Sequence, residues 1–122
     1  MSVQGIDFLA LQVRDVERAA AFYETQLGMQ RAPQSPPGAV VFPSGTIPFA
    51  VRQPLPGVNL DDGPRPGNGV ALWMSCDDAQ ELHDRLAAQE VTILNAPTPG
   101  PFGLAFTFAD PDGYAVTVHE QS

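Results

Sequence analysis

The chain has 122 residues, 43% of them hydrophobic, with six Lys and Arg against fourteen Asp and Glu for a net charge of −8. That length suits one domain able to bury its own core, and no apolar run approaches the roughly eighteen residues of a membrane span. The acidic balance repels phosphate backbones and anionic bilayers, so neither nucleic acid nor membrane is an expected partner.

Acidity would attract a cationic ligand, but it is also a common solubility device, and that plainer reading is preferred. Residues Met1 to Asp7 carry no basic stretch and no apolar signal core, so nothing there marks export. Cys76 is the single cysteine. It rules out an internal disulfide and suits a reducing compartment, so a cytoplasmic location is expected.

In chain order, Phe8 to Val13 is a strand-like run, and Asp15 stands where a helix N-cap belongs. Val16, Ala19, Ala20 and Tyr23 then recur at helical spacing, and Gly28 is a natural stop. Short strands are expected around Ala39–Phe42 and Ile47–Arg52, with Phe42-Pro43-Ser44-Gly45 as the hairpin between them. From Pro54 to Gly67 the chain is too rich in breakers for an element and suits a linker.

The plan then repeats. Val70 to Met74 is a strand, Asp77 or Asp78 caps a helix, and Ala79, Leu82 and Leu86 form its apolar face. Val91 to Leu94 resumes extended structure, followed by strands around Leu104–Ala109 and Ala115–His119 with Asp110-Pro111-Asp112-Gly113 as the turn. Each half reads strand, helix, then three strands, a duplication near sixty residues that implies two units packed together.

Two segments carry a resemblance. Asp15 to Gly28, with Phe22-Tyr23 and Leu27-Gly28, resembles the first helix of the vicinal-oxygen-chelate superfamily, the glyoxalase, bleomycin-resistance and dioxygenase class. Phe108-Ala109-Asp110-Pro111-Asp112-Gly113-Tyr114 resembles that superfamily's last hairpin. The resemblance implies an α+β fold of two βαβββ modules, whose curved mixed sheet lines a cleft and carries its helices outside. On this reading residues 1–122 are a single domain, with module one at about 4–53, a linker at about 54–67 and module two at about 68–120.

In metal enzymes of that superfamily, His, Glu or Gln side chains meet at an ion from four strands. Carried over by motif, those positions fall on Phe8, Phe49, Gly69 and Thr117, with Asn68 and Val70 as neighbours of the third. Aromatic rings and glycine offer no donor, and one threonine hydroxyl is a poor ligand. No metal and no other cofactor is therefore expected, and no catalytic residue is assigned. His119 could be offered as a displaced ligand or a general base, but no partner for it is visible.

Period-two alternation gives the cleft lining instead. Phe8, Ala10 and Gln12 come from the first strand, and Ile47, Phe49 and Val51 from the fourth. Gly69, Ala71 and Trp73 come from the fifth, Ala105 and Thr107 from the seventh, and Ala115, Thr117 and His119 from the eighth. Phe8, Ala10, Gln12, Phe49, Val51, Trp73, Thr107, Thr117 and His119 are taken as the ligand-binding set. Trp73 has core packing as its rival role, because the register from Gly69 to Trp73 is open by one residue. His83 reads as a boundary residue of the second helix. Cys76 precedes a helix whose N-terminus could lower its pKa, although a small residue at a buried junction is the preferred reading.

The function expected from this lining is metal-free capture of a hydrophobic or aromatic small molecule, like the drug-binding bleomycin-resistance proteins. The alternative is an enzyme of the same fold, of the glyoxalase, dioxygenase or epoxide-opening transferase class, with a relocated metal or none. A third reading is an interaction module whose cleft binds no ligand. A homodimer is expected from the resemblance alone.

Overall fold

Asp15 opens helix α1 (Val16–Thr25), its carboxylate accepting the Arg18 N–H at 3.1 Å. Asp78, rather than Asp77, opens helix α2 (Ala79–Ala88) in the same way, accepting from the Glu81 N–H at 3.0 Å. Each side chain satisfies an amide that the helix itself leaves unpaired. At the far end of α1, Gly28 takes a φ of +73° and the Met29 N–H reaches back to the Tyr23 carbonyl. Only a residue without a Cβ turns there at no steric cost.

The computed structural model describes residues 2–43 and 45–120. Ser44, in the first hairpin, lies outside the described residues. The chain divides into two compact units, one ending at Leu60 and the other beginning at Asp61. That boundary falls inside the proline-rich stretch from Pro54 to Gly67. No described helix is long and apolar enough to cross a membrane.

The first unit is a three-stranded sheet of β1 (Leu9–Gln12), β2 (Ala39–Phe42) and β3 (Phe49–Arg52), in the order β1-β3-β2. β1 runs parallel to β3, with Leu9 beside Phe49, and β2 runs antiparallel to it, with Phe42 beside Phe49. Helix α1 covers one face. Tyr23 is fully buried there against Phe42 and Phe49, at ring-centroid distances of 6.3 and 4.9 Å. Two strands follow α1 among the described residues, where the internal repeat led to an expectation of three. The stretch before β2 contributes one ladder-like bond, Ala32 N–H to the Val41 carbonyl. Prolines at 33, 36 and 37 deprive it of the donors that a full strand needs.

The second unit is a four-stranded sheet in the order β4-β7-β6-β5. It comprises β4 (Leu72–Cys76), β5 (Ile93–Gly100), β6 (Gly103–Ala109) and β7 (Ala115–Glu120). Again the first strand pairs in parallel with the last, Leu72 beside Val116 and Trp73 beside Thr117. β5 is an edge strand that tolerates Pro97 and Pro99 through two register shifts, as prolines in sheets require. Helix α2 covers the face bearing Phe106, Phe108, Val116 and Val118, all buried, with the His83 ring 5.3 Å from that of Phe106.

The turn from β6 to β7 is held by one carboxylate. Buried Asp110 accepts the N–H groups of Asp112 and Tyr114, both at 2.9 Å, while Gly113 adopts a φ of +96°. This aspartate organises backbone rather than chemistry. Each unit is thus an α+β arrangement of one helix on one face of its sheet, and within the unit no described helix lies on the other face.

Candidate functional site on the open sheet faces

A strand buries one side and presents the other, so the helix contacts decide which residues reach the open face. In the second unit α2 takes the even residues of β6 and β7. The open face therefore carries Ala105 and Thr107 from β6, Ala115, Thr117 and His119 from β7, and Trp73 and Ser75 from β4. Trp73 pairs laterally with Thr117, which settles its register: it stands opposite the half-buried Leu72 and Met74 and is 53% exposed.

Around Trp73 the structure assembles an aromatic cluster. The His119 ring lies 5.8 Å from Trp73, Phe102 lies 6.1 Å from Trp73, and Phe102 and His119 are 5.9 Å apart. Phe102 sits at the tip of the β5–β6 hairpin, between the paired residues Gly100 and Gly103, and is 58% exposed. Sequence alternation missed it because it belongs to no strand. The signal was there in Gly100-Pro101-Phe102-Gly103, a large aromatic on a tight turn, where burial is not available to explain it.

Beside the rings lies a polar pair. The hydroxyls of Thr107 and Thr117 are 2.7 Å apart across β6 and β7, and either oxygen can be the donor. His119 turns its Nδ1 toward the carbonyls of Phe102 and Glu120, at 3.3 and 3.2 Å. Trp73, Thr107, Thr117 and His119, four of the residues named from sequence, therefore share one face of one sheet.

In the first unit the outcome is divided. Ala10 and Gln12 lie on the open face of β1, and Phe8, just before the strand, is 49% exposed. Gln12 is committed to structure, since its side-chain oxygen accepts the Leu55 N–H at 2.7 Å and so anchors the chain leaving the unit. Phe49 and Val51 are corrections. Both face α1 rather than the open side, with Phe49 only 4% exposed and Val51 wholly buried. The opposite face of β3 carries Ala50, itself buried, and Arg52, the partners of Ala10 and Gln12. Ile47 precedes the strand.

The cause is one residue of spacing. From Gly113 to Val116, the helix-facing partner of Leu72, is a step of three, whereas from Gly45 to Phe49, the partner of Leu9, is a step of four. Copying the second hairpin's count onto the first shifts the strand by one and inverts its faces.

The same correction applies to a metal. Counting back from Asp78, as Phe8 is counted from Asp15, replaces Gly69 by Ala71, and the lateral partner of Ala10 replaces Phe49 by Ala50. Phe8, Ala50 and Ala71 have no donor atom, and the Thr117 hydroxyl is bonded to Thr107. Among the described residues no three His, Cys, Asp or Glu side chains converge. These residues do not fit a divalent ion, which needs several nitrogen or oxygen donors at once.

Cys76, at the end of β4, has its thiol pKa pushed up, first by burial and then by the carboxylates of Glu120, Asp77 and Asp78. The α2 N-terminus does not prevail over them. The Asp78 backbone N–H at that end favours the thiolate but is outweighed, and the Ala79 N–H is taken by the Glu120 carboxylate at 3.1 Å.

Comparison with known proteins agrees with this architecture. The family model for the glyoxalase/bleomycin resistance protein/dioxygenase superfamily matches residues 5–118. An integron cassette protein from the mobile metagenome of V. cholerae is 27% identical, with a TM-score of 0.73 over 100% of this chain and 98% of that one. TnmS3, an antibiotic binding protein from Streptomyces sp. CB03234, is 22% identical, with a TM-score of 0.76 over 100% and 99%. A lactoylglutathione lyase from Agrobacterium tumefaciens is 24% identical, with a TM-score of 0.68 over 98% and 96%. No curated protein is close enough in sequence to count as a relative.

Proposed function

Since the chain belongs to the glyoxalase/bleomycin resistance protein/dioxygenase superfamily, we propose that it binds and sequesters a planar aromatic or hydrophobic small molecule, without a metal and without chemistry. One observation carries this reading: Trp73, Phe102 and His119 cluster on the sheet face opposite α2, the first two more than half exposed. Large aromatics left in water cost solubility and gain no core energy, so such a group marks a contact surface. A flat ligand placed against these rings removes its own apolar area and theirs from water, at about 25 cal/mol per Å². Offset or edge-on ring contacts add about 0.5–1.5 kcal/mol each.

TnmS3 is named an antibiotic binding protein, which supports capture of a small molecule, and capture requires only affinity and stoichiometry. The missing donor set argues against the metal-dependent chemistry found elsewhere in the superfamily. Trp73 is the single tryptophan, so binding reports itself. Titration with N-methylacridone, a planar tricycle without a hydrogen-bond donor, should quench Trp73 emission saturably at one molecule per chain. Absence of quenching with this probe and with the planar cation acridine orange would refute an aromatic-binding face.

A further inference from the structure

Resting on that reading of the face, we propose that His119 presents Nε2 to the bound molecule as a fixed hydrogen-bond acceptor. The site then selects planar aromatics that carry an N–H or O–H donor on the ring edge.

The tautomer follows from the partners. Nδ1 approaches two backbone carbonyls, Phe102 at 3.3 Å and Glu120 at 3.2 Å. Carbonyl oxygens only accept, so Nδ1 must hold the ring proton, and the neutral imidazole then carries its lone pair on Nε2. No described residue bonds to Nε2. The ring is flanked by Trp73 and Phe102, so a molecule lying against those rings meets Nε2 at its edge.

The two carbonyls are held in place by Gly103. Its φ is +92°, and a Cβ built there would stand 3.0 Å from the Glu120 oxygen. Glycine lets the β5–β6 hairpin close onto the end of β7, which brings Phe102 and Glu120 to the same nitrogen.

A second group sets the opposite polarity. Thr107 and Thr117 share one hydrogen across 2.7 Å, and whichever oxygen accepts keeps its own hydrogen to give. The face thus offers an acceptor at His119 and a donor at the threonine pair. Acridone, with one N–H and one carbonyl on a flat ring system, carries a partner for each kind of group.

The test has two arms. In the first, acridone and N-methylacridone are titrated against Trp73 fluorescence. The protein should bind acridone about five- to tenfold more tightly, the value of one hydrogen bond. His119→Phe, which keeps a ring and removes the acceptor, should abolish that preference, read as the ratio of the two affinities within one protein. Equal affinities for the parent protein, or a preference that survives in His119→Phe, would overturn the proposal while leaving aromatic binding intact. The second arm needs no ligand. Long-range 1H–15N correlation spectra should show the His119 ring protonated on Nδ1 in its neutral form, and Gly103→Ala should lose that bias. A ring protonated on Nε2 overturns the proposal whether or not either acridone binds, whereas failure of both acridones and of acridine orange to quench would overturn the aromatic-binding reading and this proposal with it.

Discussion

Tyr23 of α1 and Phe49 of β3 meet edge to face, ring centroids 4.9 Å apart and planes inclined at 66°. This contact orients the whole first sheet, because it places Phe49 and Val51 under the helix and turns Ala50 and Arg52 to the other side. Phe49→Ala should therefore cost about 3–5 kcal/mol of stability, as for a phenylalanine removed from a packed core. Denaturant unfolding measures it, and a loss below about 1 kcal/mol would place Phe49 outside the core.

Trp73 should behave in the opposite way. Half exposed, with the rings of Phe102 and His119 beside it, it contributes contact energy worth about 1 kcal/mol to folding. Trp73→Ala should cost no more than about 1 kcal/mol of stability and weaken N-methylacridone binding by about 1–3 kcal/mol, followed by calorimetry or probe absorbance. A mutant that unfolds readily would contradict the exposed placement.

Glu90 adopts a φ of +64° just after α2, the sole described non-glycine residue at positive φ. A side chain there costs about 1–2 kcal/mol of local strain, and glycine removes it while loosening the unfolded chain. Glu90→Gly should thus stabilise the protein by about 0.5–1 kcal/mol. Thermal melts of the two proteins decide the sign.

The Cys76 thiol is held protonated by burial and by neighbouring carboxylates. At pH 8 iodoacetamide should alkylate it more slowly than a free cysteine, with the rate rising only at more alkaline pH, since the thiolate is the nucleophile. Mass spectrometry of timed samples follows this directly. Fast reaction at pH 7 would show that the α2 N-terminus controls the thiol after all.

Added Zn2+ or Mn2+ should leave the melting temperature unchanged. Binding to a folded-state site would raise it by mass action, and the residues at the superfamily's ligand positions supply one engaged hydroxyl.

Local chemistry made much of this legible from the chain itself. Both helices begin at aspartates whose carboxylates reach an amide three residues on. α1 stops at a glycine, and Asp110 organises its own turn, because caps and turns are settled within a few residues. Alternation also set Thr107, Thr117 and His119 on one face, and the residues between them, Phe106, Phe108, Val116 and Val118, are apolar and buried.

Where the pattern was not local, the tertiary structure decided. On β3 the sequence Phe49-Ala50-Val51 is apolar throughout and buried throughout, so alternation had no contrast to read. Only the pairing with β1 and the contact with Tyr23 select its faces. Gln12 looked available from its position, and was claimed by the Leu55 amide 43 residues later. Phe102 joined Trp73 and His119 only when the hairpin folded its tip back over the sheet. A strand's faces invert with a single step of register, and register is set by a partner distant in the chain. Residue types and local turns are therefore written in sequence, whereas the grouping of side chains into a site waits on which strands meet.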